Sequence, residues 1–211
     1  MRYSFTLLIL IICTHFTSGQ AFKKKQKWFQ GQGKVQLIDG NVLGGLIYYS
    51  FQRSVIQVVK NEKSQGFTSD KVAYFEYLDE GFEKKRKFYS IPYDLDLNGF
   101  KENVFFEVIK ELSNIALVKT QRYNNFDLAT GSFERLTEVL YFINDNGIIK
   151  PYVEIFHKLK GQARMVIDDK ALAFVTKKNY YKFQTFIKQE KLNKKKEEDL
   201  VKILEYFDQI R

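Results

Sequence analysis

Short runs of β-branched and aromatic residues recur along this chain, and they limit it to a fold built mainly from strands. Between Lys34 and Phe156 the runs occupy 34–38, 45–51, 54–60, 71–78, 85–91, 103–109, 114–122, 135–143 and 148–156, split by Gly, Asn and Asp. Val, Ile, Tyr and Phe fit a pleated, half-buried surface, and each run has the length of a strand. In KVQLI, Val35 and Leu37 alternate with polar residues. In SVIQVVK the alternation blurs, which predicts a strand buried on both faces.

Turn chemistry joins these runs into hairpins. Asp39-Gly40, Asp79-Glu80-Gly81 and Asn144-Asp145-Asn146-Gly147 lie between them, and Asn and Gly accept the positive φ of tight turns. The polar break Lys110–Ser113 separates NVFFEVI from NIALVKTQ. With so many β-branched residues on either side, it predicts two strands rather than one helix across 101–119. Pro92 and Pro151 belong at strand ends or on an edge, because proline donates nothing to a ladder. The run Lys84, Lys85, Arg86, Lys87 reads as an exposed edge kept from pairing by charge.

The period changes after about Gly161. Asp168 and Asp169 suit a helix start with Leu172 and Val175 on one face, and Asn179 suits the cap of a second helix carrying Tyr180, Phe183, Phe186 and Ile187. Leu200, Ile203, Leu204, Phe207 and Ile210 have amphipathic spacing, and Glu197, Glu198 and Asp199 fall in the first turn, where the helix dipole favours acids. The expected fold is α+β: an antiparallel β-meander, curled or an open barrel, of about nine strands, with two or three C-terminal helices. The expected divisions are a signal peptide at 1–19, a basic leader at 20–33, the β-domain at 34–158 and a helical segment at 165–211 packed on it.

The N-terminus reads as an address. Arg2 precedes an apolar stretch from Phe5 to Cys13, and small and polar residues follow to Ala21. That is the pattern of a signal peptide, too short for a bilayer span of about 20 residues. Cleavage fits after Gly19 or after Ala21, and the favoured site, Gly19, leaves Gln20 first. Bulky Ile12 before Cys13 argues against lipidation, and a retained membrane anchor is the other reading. Cys13 is the only cysteine in 211 residues, and no Asn-x-Ser/Thr sequon is present. Secreted eukaryotic domains of this size usually carry disulfides, so the expected setting is the periplasm or exterior of a Gram-negative bacterium. Residues 22–29 (FKKKQKWF) offer a basic, aromatic contact for anionic lipid or wall polymer, or else a plain spacer.

Most familiar chemistries find no residues here. Outside the signal, His157 stands alone, and no nucleophile elbow, zinc pattern, cysteine cluster or phosphate loop is present. No cofactor, metal or catalytic residue is therefore assigned. Asp94-Leu95-Asp96-Leu97-Asn98-Gly99 has oxygens at alternate positions, but position twelve of a calcium loop falls on Phe105, so it reads as a polar turn. Glu76 in YFEYL and Glu107 in VFFEVI sit among apolar neighbours. Facing each other they would make a carboxylate pair for cleaving wall polymer; facing solvent they are ordinary strand residues. The formal net charge of +9 suits nucleic acid, yet export, interspersed acids and the lack of a recognition module argue for an envelope partner instead.

The exported leader, GKVQLIDGNVLGGLIYYSF, FTSDKVAYFEYLDE, NVFFEVIKELSNIALVKTQRY and FIKQEKLNKKKEEDLVKILEYFDQI together resemble exported β-rich proteins of unknown function from Bacteroidota-type bacteria. The resemblance implies a periplasmic or outer-envelope setting and carries over no functional residue. The expected function is non-enzymatic: binding or assembly with an envelope protein, lipid or polysaccharide. The alternatives are a hydrolase using Glu76 and Glu107, and a small-ligand or lipid carrier with a cavity in the β-domain.

Overall fold

The computed structural model describes residues 29–51, 53–95, 97–127, 132–157, 163–176 and 179–210. The expected signal peptide at 1–19, residues 20–28 of the expected basic leader and Asp96 lie outside them. Within them, eleven strands form one antiparallel sheet. They are β1 (Phe29–Leu37), β2 (Val42–Ser50), β3 (Val55–Lys60), β4 (Lys63–Thr68), β5 (Val72–Asp79), β6 (Lys84–Tyr93), β7 (Glu102–Glu111), β8 (Ile115–Asp127), β9 (Ser132–Asn144), β10 (Ile149–His157) and β11 (Ala163–Ile167). Three helices follow: α1 (Asp169–Thr176), α2 (Tyr180–Gln189) and α3 (Glu197–Ile210). The α+β class and the antiparallel pairing agree with the sequence. The strand count is higher than nine, and β1 starts five residues before Lys34, at Phe29.

The spatial order is β11-β10-β9-β8-β7-β6-β5-β1-β2-β3-β4. Two meanders therefore meet where β1 pairs with β5, Val35 opposite Phe75 and Leu37 opposite Val72. The link between them dictates the shape. Only Ser69, Asp70 and Lys71 join β4 to β5, a reach of about 14 Å at most. In a flat sheet these ends would stand four strand spacings apart, about 19 Å sideways, and about 30 Å along the strands. The five strands must therefore roll until the free strand β4 returns toward β5. Ile38 N–H bonds the Lys71 carbonyl at 3.1 Å, and Ser90 Oγ donates to the Ser69 carbonyl at 2.6 Å, pinning the link to β1 and β6.

Rolling demands small residues on the inner face. Gly31 and Gly33 in β1 supply them: a Cβ on either would lie 1.8 Å from the Leu78 carbonyl oxygen or 2.0 Å from that of Glu76. Inside the roll, Val35, Ile47, Ile56, Val72 and Phe75 are fully buried. Phe75 stacks on Phe88 with ring centroids 4.5 Å apart and meets Phe105 edge-on at 5.0 Å. Burying a ring or branched side chain stabilises by about 1.5–3 kcal/mol, so the roll seals a core without any helix.

The C-terminal half seals its inner face differently. Leu117, Leu140, Phe142, Tyr152 and Val153 of β8–β10 pack against Leu172 of α1, Phe183 of α2, and Leu200, Ile203 and Leu204 of α3. A bulge at Val108–Lys110 in β7 turns Ile109 and Lys110 toward this layer, where Lys110 meets Glu205 of α3 at 2.5 Å. On the reverse face, Tyr93, Phe106 and Tyr141 make three edge-on contacts 5.3–5.7 Å between centroids.

Three local expectations need correction. β3 buries one face only: Ile56 and Val58 are buried, whereas Val55, Gln57 and Val59 are half-buried. Lys84–Lys87 is no edge, since β6 lies between β5 and β7. Alternation leaves Lys85 and Lys87 on the outer face and turns Arg86 inward. Asn179 occupies the α2 cap position without a side-chain bond. At α1 the Asp168 carboxylate accepts the Lys170 N–H at 2.9 Å, a working cap. Pro92 is the penultimate residue of β6 and Pro151 lies at the bulge of β10, both positions where a missing N–H is tolerated.

Candidate functional site

The strand register places the two flagged carboxylates on opposite faces of the sheet. Glu76 sits opposite Lys34 and Lys87, on the outer face, whereas Glu107 sits opposite Phe88 and Lys119, on the inner face. They do not converge on a common substrate. Glu76 is ringed by Lys85 at 2.7 Å, Lys34 at 3.6 Å and a hydrogen bond from the Tyr74 hydroxyl. Shielding alone would raise its pKa, but those partners together hold it below the usual value. It is a stabilised anion, not a proton donor.

Glu107 belongs to a buried ion network at the seam between the roll and the helical layer. Burial raises its pKa, and Arg86 more than reverses this, leaving it lowered. Arg86 grips it with two bonds, Nε–Oε1 at 2.8 Å and Nη2–Oε2 at 2.6 Å. The free Nη1 donates to the Tyr77 hydroxyl at 3.2 Å and reaches Asp79 at 3.5 Å. Phe29 and Phe88 flank the guanidinium at 4.8 and 5.2 Å from their ring centroids. Lys119 lies 3.9 Å from Glu107 and 3.1 Å from Glu197 in the first turn of α3. Each charged group has an opposite charge within 4 Å, so the cluster acts as a brace. Burial also raises the hydroxyls of Tyr49 and Tyr77 far above their ordinary range, keeping both neutral.

The acidic loop closes on its own backbone. The Asp94 carboxylate accepts the N–H of Asn98 at 3.0 Å and of Gly99 at 2.8 Å, and Asn98 Oδ1 accepts that of Phe100 at 2.9 Å. Among the described residues no three or more His, Cys, Asp or Glu side chains gather as a cation would require. His157 ends β10, half-exposed, with Nε2 3.7 Å from the Glu138 carboxylate.

An open concavity lies elsewhere, at the end of the roll. Two adjoining hollows of about 310 and 530 Å³ share Val42, Leu43 and Gln65. Leu37 and Leu43 from β1 and β2 face Phe67 of β4 across the larger, which the sheet could not arrange without rolling. Val58 lines the smaller, and Lys60 and Lys63 stand at its rim. These lysines are cross-strand partners on either side of the Asn61–Glu62 turn, and among the described residues neither has a carboxylate in ion-pair range. Ile38 and Val42, 63% and 60% exposed, lie at this end of the strands. So does the β6–β7 loop with Leu97 and Phe100, 85% and 80% exposed.

Sequence reasoning missed both Arg86 and this hollow. The first was legible as the alternate position in a strand that continues through Phe88. The second needed β4, whose only large apolar residue is Phe67. The chain matches no protein family, no curated protein and no solved structure. No described helix is long and apolar enough to cross a membrane.

Proposed function

We propose that the protein is a non-enzymatic binding protein of the cell envelope, exported by its N-terminal segment, which engages its ligand at the open end of the roll. One observation carries this reading: the hollows and the exposed apolar side chains of two loops share that end, while Glu76 and Glu107 are locked in ion pairs on opposite faces. Exposed apolar groups clustered around a concavity mark binding surfaces, whereas scattered ones do not. Phe82 in the β5–β6 turn is also exposed, but it lies at the opposite end of the strands and lines neither hollow.

The test places a photo-crosslinking residue at Val42, at Leu97 and, as a control at the far end, at Phe82, in the producing cell. Mass determination of the N-terminus accompanies it. The expected result is a chain beginning at Gln20 in the envelope fraction, with discrete products from Val42 and Leu97 and none from Phe82. An intact Met1 in the cytosol, or equal products from all three positions, would refute the proposal.

A further inference from the structure

Resting on that reading, we infer that the hollow takes a single-chain anionic amphiphile, its head at Lys60 and Lys63 and its tail along Leu43, Val58 and Phe67. Placing two ammonium groups directly opposite one another on neighbouring strands is unfavourable in itself. Here they are opposed at the lip of a hollow, and among the described residues neither has a carboxylate within 4 Å. An anionic head between them would relieve the pair. Charge on an edge strand guards against aggregation, but that explains only Lys63, since β3 is paired on both sides.

The rest of the lining fixes the class of ligand. None of the lining side chains is a carboxylate, so a cationic head has no partner. Asn61 and Gln65 add polar contacts beside the lysines. Below them the walls are Leu37, Leu43, Val58 and Phe67, an apolar floor that a small inorganic anion would leave empty. A polyanion such as nucleic acid would find only two cations and no continuing basic track. The combined volume falls within the range of small-molecule sites. Carboxylate, phosphate and sulfate heads share the required chemistry, and they can be compared directly.

The protein purified from the envelope fraction is titrated calorimetrically, below micelle formation, with dodecanoate, dodecyl phosphate, dodecyltrimethylammonium and butanoate. Dodecanoate or dodecyl phosphate should bind one to one, each at least about tenfold tighter than the cationic and the short compounds. The better of the two identifies the head. In the Lys60→Gln/Lys63→Gln double variant the anionic amphiphile should bind about tenfold more weakly. Its melting temperature should hold or rise, because the like-charge pair is gone. Equal binding of dodecyltrimethylammonium, equal binding of butanoate, indifference to the double substitution, or no binding at all would each overturn the inference. Crosslinking from Val42 without amphiphile binding would overturn the inference alone. Amphiphile binding by a protein retaining Met1 in the cytosol would overturn the envelope proposal alone.

Discussion

The two halves of the sheet face the same problem and meet it by opposite means. An extended β surface with one apolar face must cover it. The β1–β6 half covers itself: it rolls until Phe75, Phe88 and Tyr49 pack against each other and against Phe105 of the adjoining β7. The β8–β10 half stays open and recruits three helices. The roll is thus limited by how closely backbones approach, which makes glycine the critical residue. The helical layer is limited by side-chain volume, as in any packed core. The difference also places the binding end. The roll has a mouth where its curvature leaves the end of β1, the start of β2 and residues of β4 around a hollow.

Breaking the seam between the halves should give the largest effect. Arg86→Leu leaves Glu107 buried beside Tyr77 and Phe88 without its partner. Removing one member of a buried pair typically costs about 3–5 kcal/mol. Urea unfolding should show that loss, and the double variant Arg86→Leu/Glu107→Leu should recover part of it, because Glu107 is then no longer a buried unpaired charge, although Asp79, 3.5 Å from Arg86, still loses its partner. If the single substitution proves neutral, Arg86 does not brace the two halves.

Within the roll, Gly33→Ala should cost about 3 kcal/mol, at the upper end for single substitutions, because its Cβ would collide with the Glu76 carbonyl 2.0 Å away. Gly44→Ala is the control. The nearest atom is 3.8 Å from its Cβ, so it should be neutral or stabilise by up to about 1 kcal/mol. Equal effects at the two positions would mean that close approach of β1 and β5 does not hold the roll.

Acid offers a gentler probe of the same seam. Folding holds Glu107 below its ordinary pKa of 4.5, so on acidification the unfolded chain takes up that proton first. The contribution of Glu107 is complete above pH 4.5 and falls away as the pH drops through the lowered folded value. Stability should decline over that interval by no more than about 1.4 kcal/mol per pH unit for this one group. Glu107→Gln should flatten the decline. An unchanged profile in that variant would show that Glu107 does not govern it.

The same contrast explains what could be read in advance. Nine apolar runs correspond to β1–β3 and β5–β10, because side chains in those strands contact a core and so carry pattern. The runs that escaped notice are the two outermost strands. KSQGFT of β4 is paired on one side and exposed, and β11 (ARMVI) is the other edge, so burial imposes little alternation on either. Glu76 and Glu107 were conspicuous by their apolar neighbours, and both are shielded. Which face each takes depends on register and on the β1–β5 junction, and neither is encoded locally. Arg86 was hidden within a run of lysines, although only arginine can grip a carboxylate with two parallel bonds while lying between rings. The hollow was illegible for the same reason as β4.

The smallest effect concerns turns that the local sequence does not favour. Asn61 and Glu62 close the β3–β4 hairpin with φ of 48° and 63°, and Lys191 follows α2 at φ 53°. Asn tolerates this left-handed region, whereas Glu and Lys are strained there by about 1 kcal/mol. Glycine relieves the strain but loses more entropy on folding, so Glu62→Gly and Lys191→Gly should each stabilise by about 0.5 kcal/mol, and Asn61→Gly by less. One substitution lies in the roll and the other in the helical layer, which makes the pair diagnostic. If the seam couples the halves into one cooperative unit, both should shift a single calorimetric transition upward by about 1–2 °C. If Glu62→Gly and Lys191→Gly instead moved separate transitions, the roll and the helix-covered sheet would be independently stable, and the Arg86 brace would join two units that need no joining.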